Sequence, residues 1–313
     1  MKITVLDAQT LGKDVDLSVF EKYGEVTIYQ TTQKQDSIKN IGDSDIVITN
    51  KVIIDSDVID NCENIKLICI AATGMNNVDL EYAKQKRISV TNVAGYSTKS
   101  VAQHTFAMLF YLLEKLSYYD RFVKDGKWHE SQIFTNVSRP FYEISGKKFG
   151  IIGLGAIGKE VAKIADAFGA QVQYYSTSGN NADQNYPRVS LNQLMSDCDI
   201  ISIHAPLNSD THNLIGYEQL QMMQKDAILL NLGRGNIVDE EALAKVLDEK
   251  DIYAGLDVTG VEPLPESSSL YNVNNSERLL ITPHIAWTSI EARKLLVAKI
   301  EENIKNFIRN HTL

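Results

Sequence analysis

Three polar residues stand just beyond three apolar runs in the second half of the chain. Arg234 follows "DAILLNLG", Glu262 lies in the loop of "IYAGLDVTGVEPLP", and His284 follows "RLLITP". A guanidinium presents a planar fork of N–H donors that suits a carboxylate or a 2-oxo acid. An imidazole exchanges a proton near neutral pH, and a carboxylate beside it stabilises the imidazolium and fixes the ring. Each residue alone has a plainer reading: a surface arginine, a solvated loop acid, a satisfied buried histidine. Together they suit proton transfer on a small anionic carbonyl compound, and Pro263 and Pro265 restrict the backbone that carries Glu262.

A second signal precedes them. "FGIIGLGAIGKE" contains Gly153, Gly155 and Gly158 in the pattern G-x-G-x-x-G, after an apolar run and before a helical pattern. Gly153 permits a tight turn, Gly155 lets backbone approach a pyrophosphate, and Gly158 allows a helix to pack closely. The helix opening at Ala156 and Ile157 offers free N–H groups and a partial positive charge to phosphate. His204 and Pro206, at the end of "CDIISIHAPL", are candidate contacts on the cofactor side. The dinucleotide pattern usually continues with an acid about 20 residues on, binding the ribose hydroxyls. Ser176 occupies that position, and no Arg or Lys lies between Ser176 and Pro187. NAD and NADP both stay open, with NAD slightly favoured and tolerance of NADP expected.

These residues need a scaffold that brings them to one place, and the apolar periodicity supplies it. "KITVL", "VTIYQ", "DIVITN" and "KLICIAA" read as buried parallel strands, with helices at "DSDVIDNC" and "DLEYAKQK". The rhythm restarts at Lys147. "KKFGIIG", "AQVQYYS", "CDIISIH", "DAILLNLG", "IYAGLDV" and "RLLITPH" read as further strands with helices between them. The fold class is therefore α/β, with two doubly wound parallel-sheet domains. Residues 100–117 form a strongly apolar, buried helix, residues 121–146 an irregular connector, and "SIEARKLLVAKIEENIKNFIRN" a long closing helix. The expected boundaries are 1–98 plus 289–313 for one discontinuous domain and 99–288 for the dinucleotide-binding one. In an open parallel sheet the loops at the carboxyl ends of the strands line one crevice. The glycine loop, Arg234, Glu262 and His284 would share that edge.

Composition excludes other classes. With 44% hydrophobic and 23% charged residues the chain has the balance of a soluble globular protein. A formal net charge of −9 argues against nucleic acid or an anionic membrane as partner. Cys62, Cys69 and Cys198 are an odd number without metal-like spacing, so neither disulfides nor a metal site is expected. "MKITVLDAQT" reads as a strand rather than a signal peptide, which makes a cytoplasmic protein the default.

Several motifs in order, "AATGMNNVDLEYA", "NVAGYSTKSVAQHTFAML", "GLGAIG", "HAPLNSDTHNLIG", "NLGRGNIVDEEAL", "GLDVTGVEPLP" and "TPHIAW", span nearly the whole chain. With them it resembles the D-isomer-specific 2-hydroxyacid dehydrogenase family, nearest its glycerate dehydrogenase/hydroxypyruvate reductase branch. The resemblance implies a flavodoxin-like substrate domain and a Rossmann cofactor domain. It also implies NAD(P)-dependent reduction of a small 2-oxo acid, hydroxypyruvate or glyoxylate favoured, to the D-2-hydroxy acid. By the same resemblance, His284 would be the general acid/base, Glu262 would hold and polarise it, and Arg234 would bind the substrate's carboxylate and carbonyl oxygens. Asp257 would contact the nicotinamide carboxamide, Thr98 would lie near the cofactor, and Thr73 and Gly74 would offer N–H groups to the substrate carboxylate. A homodimer is implied, with the helix near residues 100–117 at its interface. Formate dehydrogenases of the superfamily carry Gln where this chain has Glu262, which disfavours formate. The alternatives are a dehydrogenase for bulkier 2-oxo acids and a non-catalytic NAD(H)-sensing scaffold of the corepressor kind.

Overall fold

The structure is a computed structural model that describes residues 1–180, 182–183 and 185–311. The chain divides into two compact units, Met1–Ser97 with Trp287–Leu313, and Thr98–Ala286.

The first unit holds β1 (Lys2–Val5), β2 (Glu25–Ile28), α1 (Ser37–Ile41), β3 (Ile46–Thr49), α2 (Ser56–Asn61), β4 (Leu67–Ile70), α3 (Leu80–Gln85) and β5 (Ser89–Thr91). All neighbours pair in parallel in the order β2-β1-β3-β4-β5. Every residue of β3 and β4 is buried, as strands covered on both faces must be. Asp55 and Asp79 cap α2 and α3, accepting from the amides of Val58 at 3.2 Å and Tyr82 at 3.0 Å. The apolar periodicity does not predict β5: it is three residues long, at the sheet edge, and only half-buried.

The second unit holds α4 (Thr98–Leu113), α5 (Leu116–Lys124), β6 (Lys148–Ile152), α6 (Ala156–Ala167), β7 (Gln171–Tyr175), α7 (Leu191–Asp197), β8 (Ile200–Ile203), α8 (Tyr217–Met222), β9 (Ile228–Asn231), α9 (Glu240–Glu249), β10 (Tyr253–Leu256) and β11 (Leu279–Ile281). Its six parallel strands run β11-β10-β9-β8-β6-β7. The chain leaves β6 toward β7 on one side and returns to β8 on the other. The switch point, where such sheets bind ligands, therefore lies between β6 and β8.

Residues 100–117 do not form one helix. The run breaks at Lys115, whose φ of 55° is left-handed and whose Nζ donates to the Leu112 carbonyl at 2.9 Å. The apolar face of α4 is buried inside the unit. Phe106 stacks on Phe149 and Phe168 with ring centroids 6.1 and 5.8 Å away.

The last helix, α10 (Ile290–His311), belongs to the first unit. Ala292, Leu296, Ile300 and Ile304, spaced by four, pack with Val297 and Phe307 against Ile3, Ile48 and Leu67. Burying each large side chain contributes about 1.5–3 kcal/mol. Arg293 ties the start of α10 to the loop after β1, bonding to the Leu11 carbonyl at 2.9 Å and pairing with Asp14.

Candidate active site

The glycine loop has the geometry that phosphate binding needs. Gly153, at φ 90°, turns the chain out of β6, and a Cβ there would come within 2.8 Å of the Ala205 backbone. Gly158 packs α6 on the loop, for a Cβ there would come within 2.3 Å of the Gly153 carbonyl oxygen. Gly155 is different: nothing lies within 4 Å of a Cβ built on it. Gly155 caps α6, so the open space meets a helix start formed by the amides of Ala156, Ile157 and Gly158. Two buried polar atoms lie beyond the strands flanking β6 and have no partner among the described residues: Ser176 Oγ after β7 and His204 Nδ1 after β8. His204 Nε2 bonds to the Ser202 hydroxyl at 2.8 Å, and desolvation pushes its imidazole down to about 3, so the ring is neutral. A close-approach glycine, a helix start and two unsatisfied atoms at one sheet edge fit a dinucleotide.

Arg234, Glu262 and His284 follow β9, β10 and β11, and two contacts bring their loops together. Gly235 lies against the next loop so closely that a Cβ would come within 1.9 Å of the Thr259 carbonyl carbon. Glu262 Oε1 accepts from the Thr259 amide at 3.2 Å, and Glu262 Oε2 meets His284 Nδ1 at 2.8 Å. His284 itself is held at φ 54°, a left-handed conformation uncommon outside glycine. Its side chain is 22% exposed, so the ring is reachable while its Nδ1 edge is engaged. Arg234 Nη1 donates to the Gly233 carbonyl at 2.8 Å. Its guanidinium forms no ion pair with a carboxylate among the described residues, which leaves most of its five donors for a ligand.

A buried network supports the His284 turn. Asp257, 1% exposed, accepts from the Thr282 hydroxyl at 2.7 Å and from the amides of Ile285 at 2.8 Å and Ala286 at 2.9 Å. Burying a carboxylate costs several kcal/mol, and three donors at about 1.5–3 kcal/mol each offset it. The visible work of Asp257 is thus to fix the turn rather than to present a free carboxylate. From α4, His104 Nε2 reaches Thr282 Oγ1 at 3.2 Å, and Ser100 Oγ donates to the Ala286 carbonyl at 2.6 Å. Ser100 and His104 are one helical turn apart. Their spacing alone is indistinguishable from an ordinary helix face.

The other candidates fall as follows. Thr98 opens α4 in the second unit. Pro206 follows β8, and its carbonyl accepts from Thr211 Oγ1 at 2.7 Å. Thr73 and Gly74 lie after β4 in the first unit. There Thr73 Oγ1 donates to the Val93 carbonyl at 3.1 Å, and the Thr73 carbonyl accepts from Asn92 Nδ2 at 2.6 Å. Among the described residues no group of three or more His, Cys, Asp or Glu could hold a metal ion, and no helix is long and apolar enough to cross a membrane.

A wound parallel sheet, a phosphate-ready loop at its switch point and an acid–imidazole pair on the same edge define a dinucleotide-dependent oxidoreductase. The chain belongs to the D-isomer-specific 2-hydroxyacid dehydrogenase family, whose NAD-binding domain model matches residues 106–286. A hydroxypyruvate reductase from Blautia hydrogenotrophica is 36% identical, with 99% of this chain and 97% of that protein covered. A glycerate dehydrogenase from Methylorubrum extorquens is 34% identical over 98% of this chain and 96% of its own. Among solved structures, an acyclic imino acid reductase in complex with NADPH and D-Arg is 30% identical, with a TM-score of 0.87 over 99% of this chain and 98% of that one.

Proposed function

We propose that this enzyme reduces a small 2-oxo acid, hydroxypyruvate or glyoxylate, to its D-2-hydroxy acid, with His284 as the proton donor. The observation that carries the reading is the 2.8 Å His284–Glu262 bond on the sheet edge that also bears the glycine loop and Arg234. When bound, a reduced dinucleotide would be the source of the hydride for the substrate's carbonyl carbon. Glu262 occupies Nδ1, which leaves Nε2 as the nitrogen that hands a proton to the carbonyl oxygen. Glu262 is steadied in turn by the Thr259 amide, and Asp257 fixes the turn that presents the ring. Arg234 holds the carboxylate and draws electron density from the carbonyl. One hydride and one proton convert C=O to CH–OH, and in reverse the neutral imidazole takes the proton back.

The hydroxypyruvate reductase and glycerate dehydrogenase relatives support the substrate class by their names. The test is the loss of NADH and NADPH absorbance with a panel of glyoxylate, hydroxypyruvate, pyruvate and branched or aromatic 2-oxo acids. The smallest acids are expected to give the highest kcat/KM. Highest kcat/KM with a bulky acid would replace the substrate assignment, and no turnover with any would favour the scaffold.

The partner in this reading is a second copy of the chain. Tyr111 of α4 is 38% exposed, and the larger exposed apolar surface lies on α5 and the segment after it. Phe134, Val137, Ile133 and Phe141 are 88%, 76%, 59% and 56% exposed, beside a groove of about 620 Å³ walled by Tyr119, Phe122 and Trp128. So large an aromatic face on one segment suits a self-complementary two-fold interface. Phe134→Asp with Val137→Asp is expected to give monomers in sedimentation analysis where the unaltered protein is dimeric. A monomeric unaltered protein would refute the dimer.

A further inference from the structure

The loop that follows β7 takes the adenosine ribose in a doubly wound dinucleotide site, and here its chemistry is unusual. Ser176 stands where an acid commonly binds the ribose hydroxyls. It is 3% exposed, and its Oγ has no partner among the described residues. Residues 177–180 add no acid. The structure also brings in a cation from one position beyond Pro187. Arg188 pairs in parallel with Tyr174, the register being fixed by Tyr174 N–H to the Pro187 carbonyl at 3.0 Å and Val189 N–H to the Tyr174 carbonyl at 2.9 Å. That pairing sets Arg188 beside the loop, where its Nη1 donates to the Gly179 carbonyl at 2.8 Å. Among the described residues Arg188 has no acidic partner, while the nearby Asp183 is already paired with Lys159 at 3.3 Å.

We infer that Ser176 and Arg188 form a subsite for the 2′-phosphate of NADPH, so that the enzyme binds NADPH more tightly than NADH. The inference rests on the dinucleotide site of the proposed function and reverses the slight lean toward NAD that the sequence suggests. A carboxylate after β7 would repel a phosphate dianion, but a serine hydroxyl can donate to it. An exposed guanidinium offers it a planar pair of N–H groups, and the bond to Gly179 uses only one of five donors. A plainer role makes Arg188 a staple of the loop backbone. The two differ in one respect: a staple supports both dinucleotides alike, whereas a phosphate ligand acts on one.

The test is calorimetric titration of the full chain with NADPH and NADH, and with the fragments 2′,5′-ADP and 5′-AMP, which report binding without turnover. The unaltered protein is expected to bind NADPH about tenfold more tightly than NADH. In Arg188→Ala the NADPH-to-NADH affinity ratio should fall at least threefold, and the ratio for the two fragments should fall in parallel. Arg188→Lys should retain part of it. An unaltered protein that prefers NADH, or ratios that change less than threefold in Arg188→Ala, would overturn the inference. Failure to bind either dinucleotide would remove the site itself. Binding of both with no dependence of their ratio on Arg188 would remove this inference alone.

Discussion

His284→Gln is expected to lower kcat by about 10²–10⁴-fold, the range that positioned proton transfer supplies. Glutamine is polar and of similar reach, but its amide does not titrate near neutral pH. The loss should appear in single-turnover reduction as well as in the steady state, with dinucleotide affinity close to that of the unaltered protein. Circular dichroism should be unchanged, because the turn is held by Asp257 on the amides of Ile285 and Ala286 and not by the imidazole. Glu262 bonds to the ring at 2.8 Å. Adding Glu262→Gln to His284→Gln should therefore cost much less than Glu262→Gln costs alone. A His284→Gln enzyme within tenfold of full activity would remove the acid/base assignment.

Arg234→Ala is expected to lower kcat/KM for 2-oxo acids by about 10²–10³-fold. A bidentate bond to a carboxylate is two charge-assisted hydrogen bonds at about 1.5–3 kcal/mol each, and every 1.4 kcal/mol is about tenfold. The loop should survive, since its backbone is held independently: Asn231 Nδ2 donates to the Arg234 carbonyl at 2.8 Å, and Gly235 packs on Thr259. Arg234→Lys should recover little, because an ammonium lacks the planar fork. Comparing a 2-oxo acid with its uncharged amide separates binding from structure. The penalty should fall almost wholly on the acid. Equal losses on both would show that Arg234 acts by shaping the loop.

Much of this arrangement is legible in the sequence, for a definite physical reason. Strands covered on both faces read as unbroken apolar runs, so "CDIISIH", "DAILLNLG" and "IYAGLDV" announce β8, β9 and β10, and the loops leaving these parallel strands must share one edge. The pairing of Glu262 with His284 depends on that edge. The parts that stay hidden depend on contacts distant in sequence or on short polar elements. β5 is three half-buried residues and leaves no periodicity. The break between α4 and α5 turns on one left-handed lysine inside an apolar run. The Asp257 network joins α4 to the turn after β11 through Thr282 and His104, whose types alone suggest nothing. Arg188 reaches the β7 loop through a single bridge with Tyr174, which no local pattern reveals.

The most direct test of the central claim is a crystal structure of the enzyme with bound dinucleotide and oxamate, an unreactive 2-oxo acid mimic. His284 Nε2 is expected within about 2.6–3.2 Å of the oxamate carbonyl oxygen, with Nδ1 still on Glu262 and the Arg234 guanidinium on the oxamate carboxylate. Oxamate held away from both side chains, or an imidazole turned from the carbonyl with its bond to Glu262 broken, would contradict the claim.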